Sequence, residues 1–94
     1  MQDARQMARI FKVLSVDTRV RILQLLKGRA LCVNALASKL EITAAAVSQH
    51  LRILRDTELV RDEKRGNFVH YCLNEDTLIH WKELAESLLD SSVK

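Results

Sequence analysis

The 94-residue chain is predicted to form a mainly helical domain with one β-hairpin. Apolar residues recur at helical spacing as far as residue 58 and again from Leu78 onwards. Between these stretches Val69, Tyr71 and Leu73 occupy alternate positions, which is typical of a strand with one buried face. Gly66 precedes this strand, and glycine tolerates the positive φ angle of a hairpin turn. The predicted element order is therefore α-α-α-α-β-β-α.

The composition is that of a single folded domain. Hydrophobic residues make up 48% and charged residues 29% of the sequence. The longest apolar runs, Ala30–Val33 and Ala44–Val47, are too short for a spanning helix or a signal peptide. Two cysteines, Cys32 and Cys72, are too few for a disulfide framework. We therefore expect one domain over residues 1–94, in a cytoplasmic protein that contacts no membrane.

Positive charge is concentrated in the first part of the chain. Residues 1–56 carry ten basic and four acidic side chains, whereas residues 75–94 carry two basic and five acidic ones. A polyanion is attracted to such a basic region and repelled by the acidic tail. Charge alone does not establish a nucleic-acid partner, so the motifs decide the question.

Three helices are predicted before residue 43. The first follows from apolar residues at i, i+3, i+4 and i+7, namely Met7, Ile10, Phe11 and Leu14. The second covers Val20–Lys27 and ends before Gly28, because glycine readily adopts the left-handed conformation of a helix C-cap. The third is short and has three apolar positions, Val33, Leu36 and Leu40.

The third and fourth helices are predicted to form a helix-turn-helix over about residues 32–56. They meet at the turn Leu40–Thr43, which contains no glycine and in which Thr43 can cap the fourth helix. At about 100° per residue, Val47, Leu51 and Leu54 share one inward stripe. The opposite face has no large apolar side chain and carries Ala45, Ser48, Gln49, Arg52 and Arg55. Its hydroxyl, amide and guanidinium groups are typical of contacts with base edges and phosphates, and the alternative is a solvated face.

A basic hairpin follows directly over about residues 59–73. Lys64 and Arg65 lie at its tip and Arg61 lies nearby, where they can reach a phosphate strand or a minor groove. Hairpin tips are also charged simply because they are exposed. A helix-turn-helix followed by such a hairpin is nevertheless a winged-helix arrangement, whose second motif helix lies in the DNA major groove.

Six segments carry a pattern that extends over nearly the whole chain: Asp17–Leu26, Ala35–Leu40, Ala46–Leu54, Leu59–Val60, Arg65–Gly66 and Tyr71–Asn74. They resemble the ArsR/SmtB family of bacterial repressors. The resemblance implies a winged-helix homodimer formed by the first and last helices, and DNA binding by the fourth helix and wing. It also implies release from DNA by an effector, major-groove contacts by Ser48, Gln49 and Arg52, and a wing contact by Arg65.

The residues expected to contact double-stranded DNA lie on the fourth helix and the wing. They are Thr43, Ala45, Ser48, Gln49, Arg52, Arg55, Lys64 and Arg65. The small side chains of Ala44–Ala46 let the helix N-terminus approach the groove, where its amides favour a phosphate. His50 lies about 60° from the buried stripe, so we expect a packed or surface histidine, with a phosphate contact as the alternative.

The metal motif of the family is incomplete in this chain. Arsenic- and cadmium-sensing members carry Cys-x-Cys in the segment that corresponds to Leu31–Asn34, whereas here Cys32 is followed by Asn34. A soft-metal site requires about three or four thiolate or imidazole ligands. The last helix offers His80 among acidic residues but has no second histidine. We therefore expect no metal and no other cofactor.

The two cysteines leave other possibilities open. Cys32 can pair with Cys72 as a thiol switch, or share a metal with a cysteine of a second subunit; small buried side chains are the favoured interpretation. His70 and Cys72 share a strand face, but no orienting group or oxyanion hole accompanies them. We expect no catalysis.

The last helix carries a wide apolar stripe that the chain has little core left to cover. Together with the first helix it predicts a two-fold interface, and packing within one subunit is the alternative, although both can hold. The expected interface consists of Met7, Ile10, Phe11, Leu14, Leu78, Trp81, Leu84, Ala85 and Leu88.

These features predict a homodimeric DNA-binding transcriptional regulator, a repressor that an effector releases from an inverted-repeat operator. A small-molecule effector would bind between the last helix and the body of the domain, by analogy with the family. One alternative is a metal- or thiol-responsive sensor of the same fold. The other is a winged-helix protein-interaction module that binds no DNA.

Overall fold

The structure is a computed structural model that describes residues 3–91. In this part of the chain the elements are α1 (Ala4–Val13), α2 (Asp17–Leu25), β1 (Leu31–Cys32), α3 (Val33–Leu40), α4 (Ala44–Asp56), β2 (Val60–Arg65), β3 (Phe68–Leu73) and α5 (Glu75–Leu89). The order confirms the predicted mainly helical domain with a β-hairpin between its fourth and fifth helices. None of these helices is long and apolar enough to cross a membrane.

Strand β1 is an addition to the predicted order of elements. Leu31 pairs with Tyr71 and Cys32 with His70, so a three-stranded antiparallel sheet has the order β1-β3-β2. A two-residue strand is too short to show a period of two, and its pairing partner lies far along the chain. The α-α-α-α-β-β-α order was therefore incomplete at this point.

The hairpin has the register that the turn at Gly66 predicts. Strands β2 and β3 pair from Val60 opposite Leu73 to Arg65 opposite Phe68, which leaves a two-residue loop. Gly66 is the first residue of that loop and has φ +63°. A glycine with positive φ at this position is typical of a type II′ turn, whose twist matches that of the flanking strands.

The core lies where α2, α3, α4 and the start of β2 meet. Ile22, Leu36, Val47, Leu54 and Leu59 are all 0% exposed. Burial of such side chains stabilises the fold by about 1.5–3 kcal/mol each. Because α4 contributes three of the buried residues of this cluster, its opposite face is held in a fixed orientation.

Helices α1 and α5 pack against each other beside this core, and α5 continues past it. Leu84 is 4% exposed, whereas Leu88, one turn later, is 53% exposed and Leu89 is 70% exposed. The domain is correspondingly elongated, with principal extents of 53 × 23 × 20 Å. The last turn of α5 therefore presents apolar side chains that its own subunit does not cover.

Candidate nucleic-acid interface

The predicted inward and outward faces of α4 are confirmed. Val47, Leu51 and Leu54 are at most 1% exposed. All the candidate DNA contacts of the fourth helix are exposed: Thr43, Ala45, Ser48, Gln49, Arg52 and Arg55. In residues 3–91, no hydrogen bond or ion pair involves the side chains of Ser48, Gln49 or Arg52. These three side chains can therefore bind a partner without first breaking an internal contact.

The turn before α4 forms without glycine because Glu41 adopts the left-handed conformation. Glu41 is the C-cap of α3 with φ 57° and ψ 43°, and its amide donates to the Ser38 carbonyl at 3.3 Å. The amide of Ile42 donates to the Ala37 carbonyl at 3.2 Å. These bonds satisfy carbonyls at the end of α3, as in other left-handed helix caps. The tight turn fixes the angle between the two helices of the motif.

Thr43 caps α4 as predicted. Its Oγ1 accepts a hydrogen bond from the Ala46 amide at 3.1 Å. Three alanines follow, at 44–46, so no bulky side chain obstructs the helix N-terminus. The amides there carry the positive end of the helix dipole, which favours an approaching phosphate.

We expect the Thr43→Ala variant to lose about 1 kcal/mol of unfolding free energy, because one N–H group of α4 then has no acceptor. Thr43→Ser is the matched control, since it retains the hydroxyl at the same position. Urea unfolding followed by circular dichroism measures both variants. Equal stability of Thr43→Ala and the parent chain would show that the cap contributes nothing.

The two basic residues at the tip of the wing have different surroundings. Arg65 is held by Glu63, with Nε at 3.1 Å and Nη2 at 2.5 Å from Oε1 of the carboxylate. Lys64 is exposed, and no ion pair within the described chain involves it. The register places Lys64 and Asp62 on one face of the hairpin, and Glu63 and Arg65 on the other. Within the described residues, Lys64 therefore has no ion-pair partner, whereas Arg65 is paired with Glu63.

An ion pair connects α4 to the wing. Arg55 Nη1 lies 3.5 Å from Asp62 Oδ2, and the two side chains are 49% and 42% exposed. A pair this exposed contributes about 0–1 kcal/mol to stability. It shows, however, that the Asp62 face of the hairpin is the one turned towards α4. Arg55, predicted as a DNA contact, has an internal partner.

A cleft of about 160 Å³ lies between α4 and the wing. Ser48, Arg52 and Arg55 line its α4 side, Tyr71 its strand side, and the buried Leu51 its floor. The sequence predicts only that Tyr71 lies on the buried face of its strand. Its position directly opposite Asp62 in the register indicates that it faces α4.

His50 is half-buried and packs within the subunit. This agrees with the packed or surface position that the helical period predicts. Arg19 Nε donates to His50 Nδ1 at 3.4 Å, and Arg19 Nη1 donates to the Val13 carbonyl at 3.3 Å. The first contact connects α2 to α4, and the second connects α2 to the end of α1. Because Nδ1 accepts a hydrogen bond here, a neutral His50 carries its proton on Nε2.

The cysteines are free and half-buried, and they are not register partners. Cys32 lies opposite His70, and Cys72 lies opposite Arg61. A hydrogen bond with the Cys72 sulfur, followed by the negative charge of its thiolate form, raises the pKa of Arg61. Arg61 is a cation with or without this shift, as arginine is in proteins generally. Between residues 3 and 91 no three His, Cys, Asp or Glu side chains are grouped closely enough to hold a metal ion.

Comparison with known proteins identifies the class. A family model described as "Bacterial regulatory protein, arsR family" matches residues 17–62. The transcriptional repressor SdpR of Bacillus subtilis is 37% identical over 78 residues, which is 80% of this chain and 87% of that protein. The transcriptional repressor SmtB homolog of Synechocystis is 35% identical over 92 residues, which is 97% of this chain and 70% of that protein.

A solved structure agrees with these matches. The homodimeric winged helix-turn-helix domain Mb0332 of Mycobacterium bovis, described as a possible ArsR-family regulator, has a TM-score of 0.71 and 25% identity. The match covers 99% of this chain and 95% of that one. The fold and the outward face of α4 define a winged helix-turn-helix DNA-binding transcriptional regulator. The chain belongs to the ArsR family, as its resemblance predicted.

Proposed function

We propose that two copies of this chain bind an imperfect inverted repeat in duplex DNA and repress transcription until an effector releases them. The exposed face of α4 carries the proposal, since Ser48, Gln49 and Arg52 have no internal partner within residues 3–91. In a two-fold dimer the two α4 helices would enter major grooves about one helical turn apart. The names of the relatives, which are repressors, support the direction of regulation.

The contacts divide by chemistry. Ser48, Gln49 and Arg52 bind base edges and supply sequence choice, because hydroxyl, amide and guanidinium groups match the donors and acceptors of the major groove. Phosphate contacts supply most of the affinity. They come from Arg55, Lys64 and Arg65, while Thr43 and Ala45 border the helix N-terminus. The whole chain acts as one DNA-binding domain.

The dimer forms through α1 and the end of α5. Phe11, Leu88 and Leu89 support this surface because they are exposed apolar side chains on these helices, at 37%, 53% and 70%. Of the residues predicted for the interface, Met7, Ile10 and Leu84 are at most 9% exposed and pack within their own subunit. They have little surface left for a second copy. Four other predicted interface residues are half-buried, so they can pack within their own subunit and also contact a second copy: Leu14, Leu78, Trp81 and Ala85.

A cleft in the structure supports the proposal that the effector binds between α5 and the body of the domain. A cleft of about 360 Å³ lies between α1, the end of α4 and α5, with Arg9, Asp56, His80 and Trp81 among its lining residues. An effector bound there could change the angle between the dimer helices and the body. It would then favour a dimer in which the α4 helices no longer match the groove spacing.

The proposal is tested by selecting duplexes from a random pool with the wild-type protein. Recovery of an inverted repeat with half-sites about one helical turn apart is the expected result. A footprint and a stoichiometry of two chains per duplex complete the test. Failure to enrich any sequence, together with binding that salt does not weaken, would favour the protein-interaction alternative.

We expect Lys64→Gln to reduce the slope of log affinity against log salt concentration by about 0.9 for each phosphate that the protein no longer neutralises, and so by about twice that for a dimer. Arg65→Gln is the comparison, and its change should be smaller because Glu63 already holds Arg65. Fluorescence anisotropy across a salt series measures both slopes. Unchanged slopes for both variants would remove the wing from the DNA interface.

A further inference from the structure

We propose that the cleft between α4 and the wing seats one backbone phosphate of the operator, and that the hydroxyl of Tyr71 is its unassigned ligand. The inference rests on the proposed DNA-binding function and specifies the chemistry of one contact. The ligand is a phosphodiester group, and its protein partners are Tyr71 Oη and the guanidinium of Arg55.

The geometry of duplex DNA places a phosphate strand at this cleft. Adjacent major and minor grooves are separated by a single sugar–phosphate backbone. If α4 occupies the major groove and the wing tip lies towards the neighbouring minor groove, that backbone must pass between them. The cleft of about 160 Å³ lined by Ser48, Arg55 and Tyr71 lies in this gap and admits one phosphodiester group.

Tyr71 is suited to this contact because its ring and its hydroxyl have different environments. The ring is half-buried and packs against the main core cluster, which holds it in place. The hydroxyl forms no hydrogen bond with any of residues 3–91, and it is not among the fully enclosed polar atoms. The hydroxyl is therefore accessible and has no acceptor within residues 3–91, so it can donate a hydrogen bond to a phosphate oxygen.

The charges around Tyr71 favour an anion despite one acidic neighbour. Arg52 and Arg55 line the cleft, and Asp62 lies opposite Tyr71 in the sheet. Asp62 is bound to Arg55 at 3.5 Å, in an exposed pair that is weak and readily exchanged. A phosphate that enters the cleft replaces the Asp62 carboxylate as a partner of Arg55 and accepts a hydrogen bond from Tyr71.

The test combines the Tyr71→Phe variant with operator duplexes that carry one neutral methylphosphonate linkage at the same position of both half-sites. Tyr71→Phe removes only an unpartnered hydroxyl, so the thermal unfolding midpoint should not change. Affinity for unmodified operator should fall about tenfold for each half-site, and so about 100-fold for a dimer, as for loss of a hydrogen bond to a charged group; nonspecific duplex should weaken equally. The salt slope should stay constant, because a hydroxyl releases no counterion.

The methylphosphonate scan identifies the contacted phosphate. At one position in each half-site, the modification should weaken binding of the wild-type protein. On that duplex, Tyr71→Phe should lower the affinity by less than about a further twofold. On duplexes modified elsewhere the full loss of affinity caused by Tyr71→Phe should remain. The phosphate contact alone would be refuted in either of two cases. Tyr71→Phe could bind the operator as tightly as the wild-type protein does, or it could lose the same affinity on every duplex. Absence of wild-type binding to any duplex would instead refute the proposed function.

Discussion

Replacing Arg52 by Ala is expected to lower the affinity for the selected operator by about 10- to 100-fold for each half-site, the range for removal of one well-placed guanidinium–base contact. Arg52 is exposed on the outward face of α4, and no contact within residues 3–91 competes for its guanidinium group. Its removal should change the unfolding free energy by less than about 0.5 kcal/mol, because the side chain stabilises nothing in the free protein.

The Arg52→Lys variant separates base recognition from charge. Lysine keeps the positive charge but cannot reproduce the bidentate geometry with which arginine binds a guanine edge. We therefore expect Arg52→Lys to bind unrelated duplex DNA as the wild type does, with the same salt slope, and to lose most of its preference for the operator. Arg52→Ala should also lose affinity for unrelated DNA, by several-fold, since it removes a charge.

Operator and unrelated duplexes of equal length are compared by fluorescence anisotropy at two salt concentrations. Retained operator preference in both Arg52 variants would mean that α4 is not the recognition helix. A stability loss that parallels the affinity loss would mean that Arg52 acts through the fold. The two outcomes are separated by measuring urea unfolding of each variant.

Features of the fold that depend on neighbouring residues could be predicted from the sequence. The stripe of Val47, Leu51 and Leu54 is fully buried because helical periodicity determines which side chains share a face. Gly66 forms the hairpin turn because its positive φ is a local requirement. Both properties are contained within a few consecutive residues, so no knowledge of the tertiary structure was needed.

Features that depend on distant pairing could not be predicted. Strand β1 exists because Leu31 and Cys32 find partners in β3. Glu41 and Glu58 adopt positive φ angles of 57° and 63°, although neither is a residue type that signals this conformation. At Glu41 the capping hydrogen bonds to the carbonyls of Ala37 and Ser38 offset the local backbone cost.

The same distinction between local features and features that depend on distant residues applies to the candidate site. Exposure of Ser48, Gln49 and Arg52 followed from the helical period alone. The pairing of Arg55 with Asp62 did not, because it depends on the distance between α4 and the hairpin. Tyr71 was missed for a related reason: strand alternation marks it as inward, but only the packed structure reveals a cleft beside its ring.

The second large effect is expected at the end of α5, where Leu88→Glu should produce a monomer and reduce operator affinity by about 100-fold or more. Leu88 is 53% exposed in the single chain, so a carboxylate there costs little when the subunit is alone. In an apolar dimer interface the same carboxylate would be desolvated without a partner, which is strongly unfavourable. The sequence places Leu88 on an apolar stripe with little core to cover it, but only the structure shows how far α5 extends beyond the core.

Ser87→Glu is the matched control. It adds the same charge to the same helix at an exposed neighbouring position, about 100° around the helix from Leu88. This variant should remain dimeric and bind the operator with close to wild-type affinity. Sedimentation velocity across a range of protein concentrations measures the oligomeric state of both variants. A dimeric Leu88→Glu protein would mean that the end of α5 lies outside the interface.

A duplex with only one half-site distinguishes loss of the dimer from damage to the DNA-binding surface. Linking two α4 helices in a dimer makes the second contact intramolecular, and such linkage raises overall affinity by about 10²- to 10⁴-fold without any new contact. A Leu88→Glu monomer should therefore bind a single half-site as well as one wild-type subunit does, and gain nothing when the second half-site is restored. If its half-site affinity were also reduced, the substitution would have disturbed α4 or the wing, and the α5 surface would lose its assigned role.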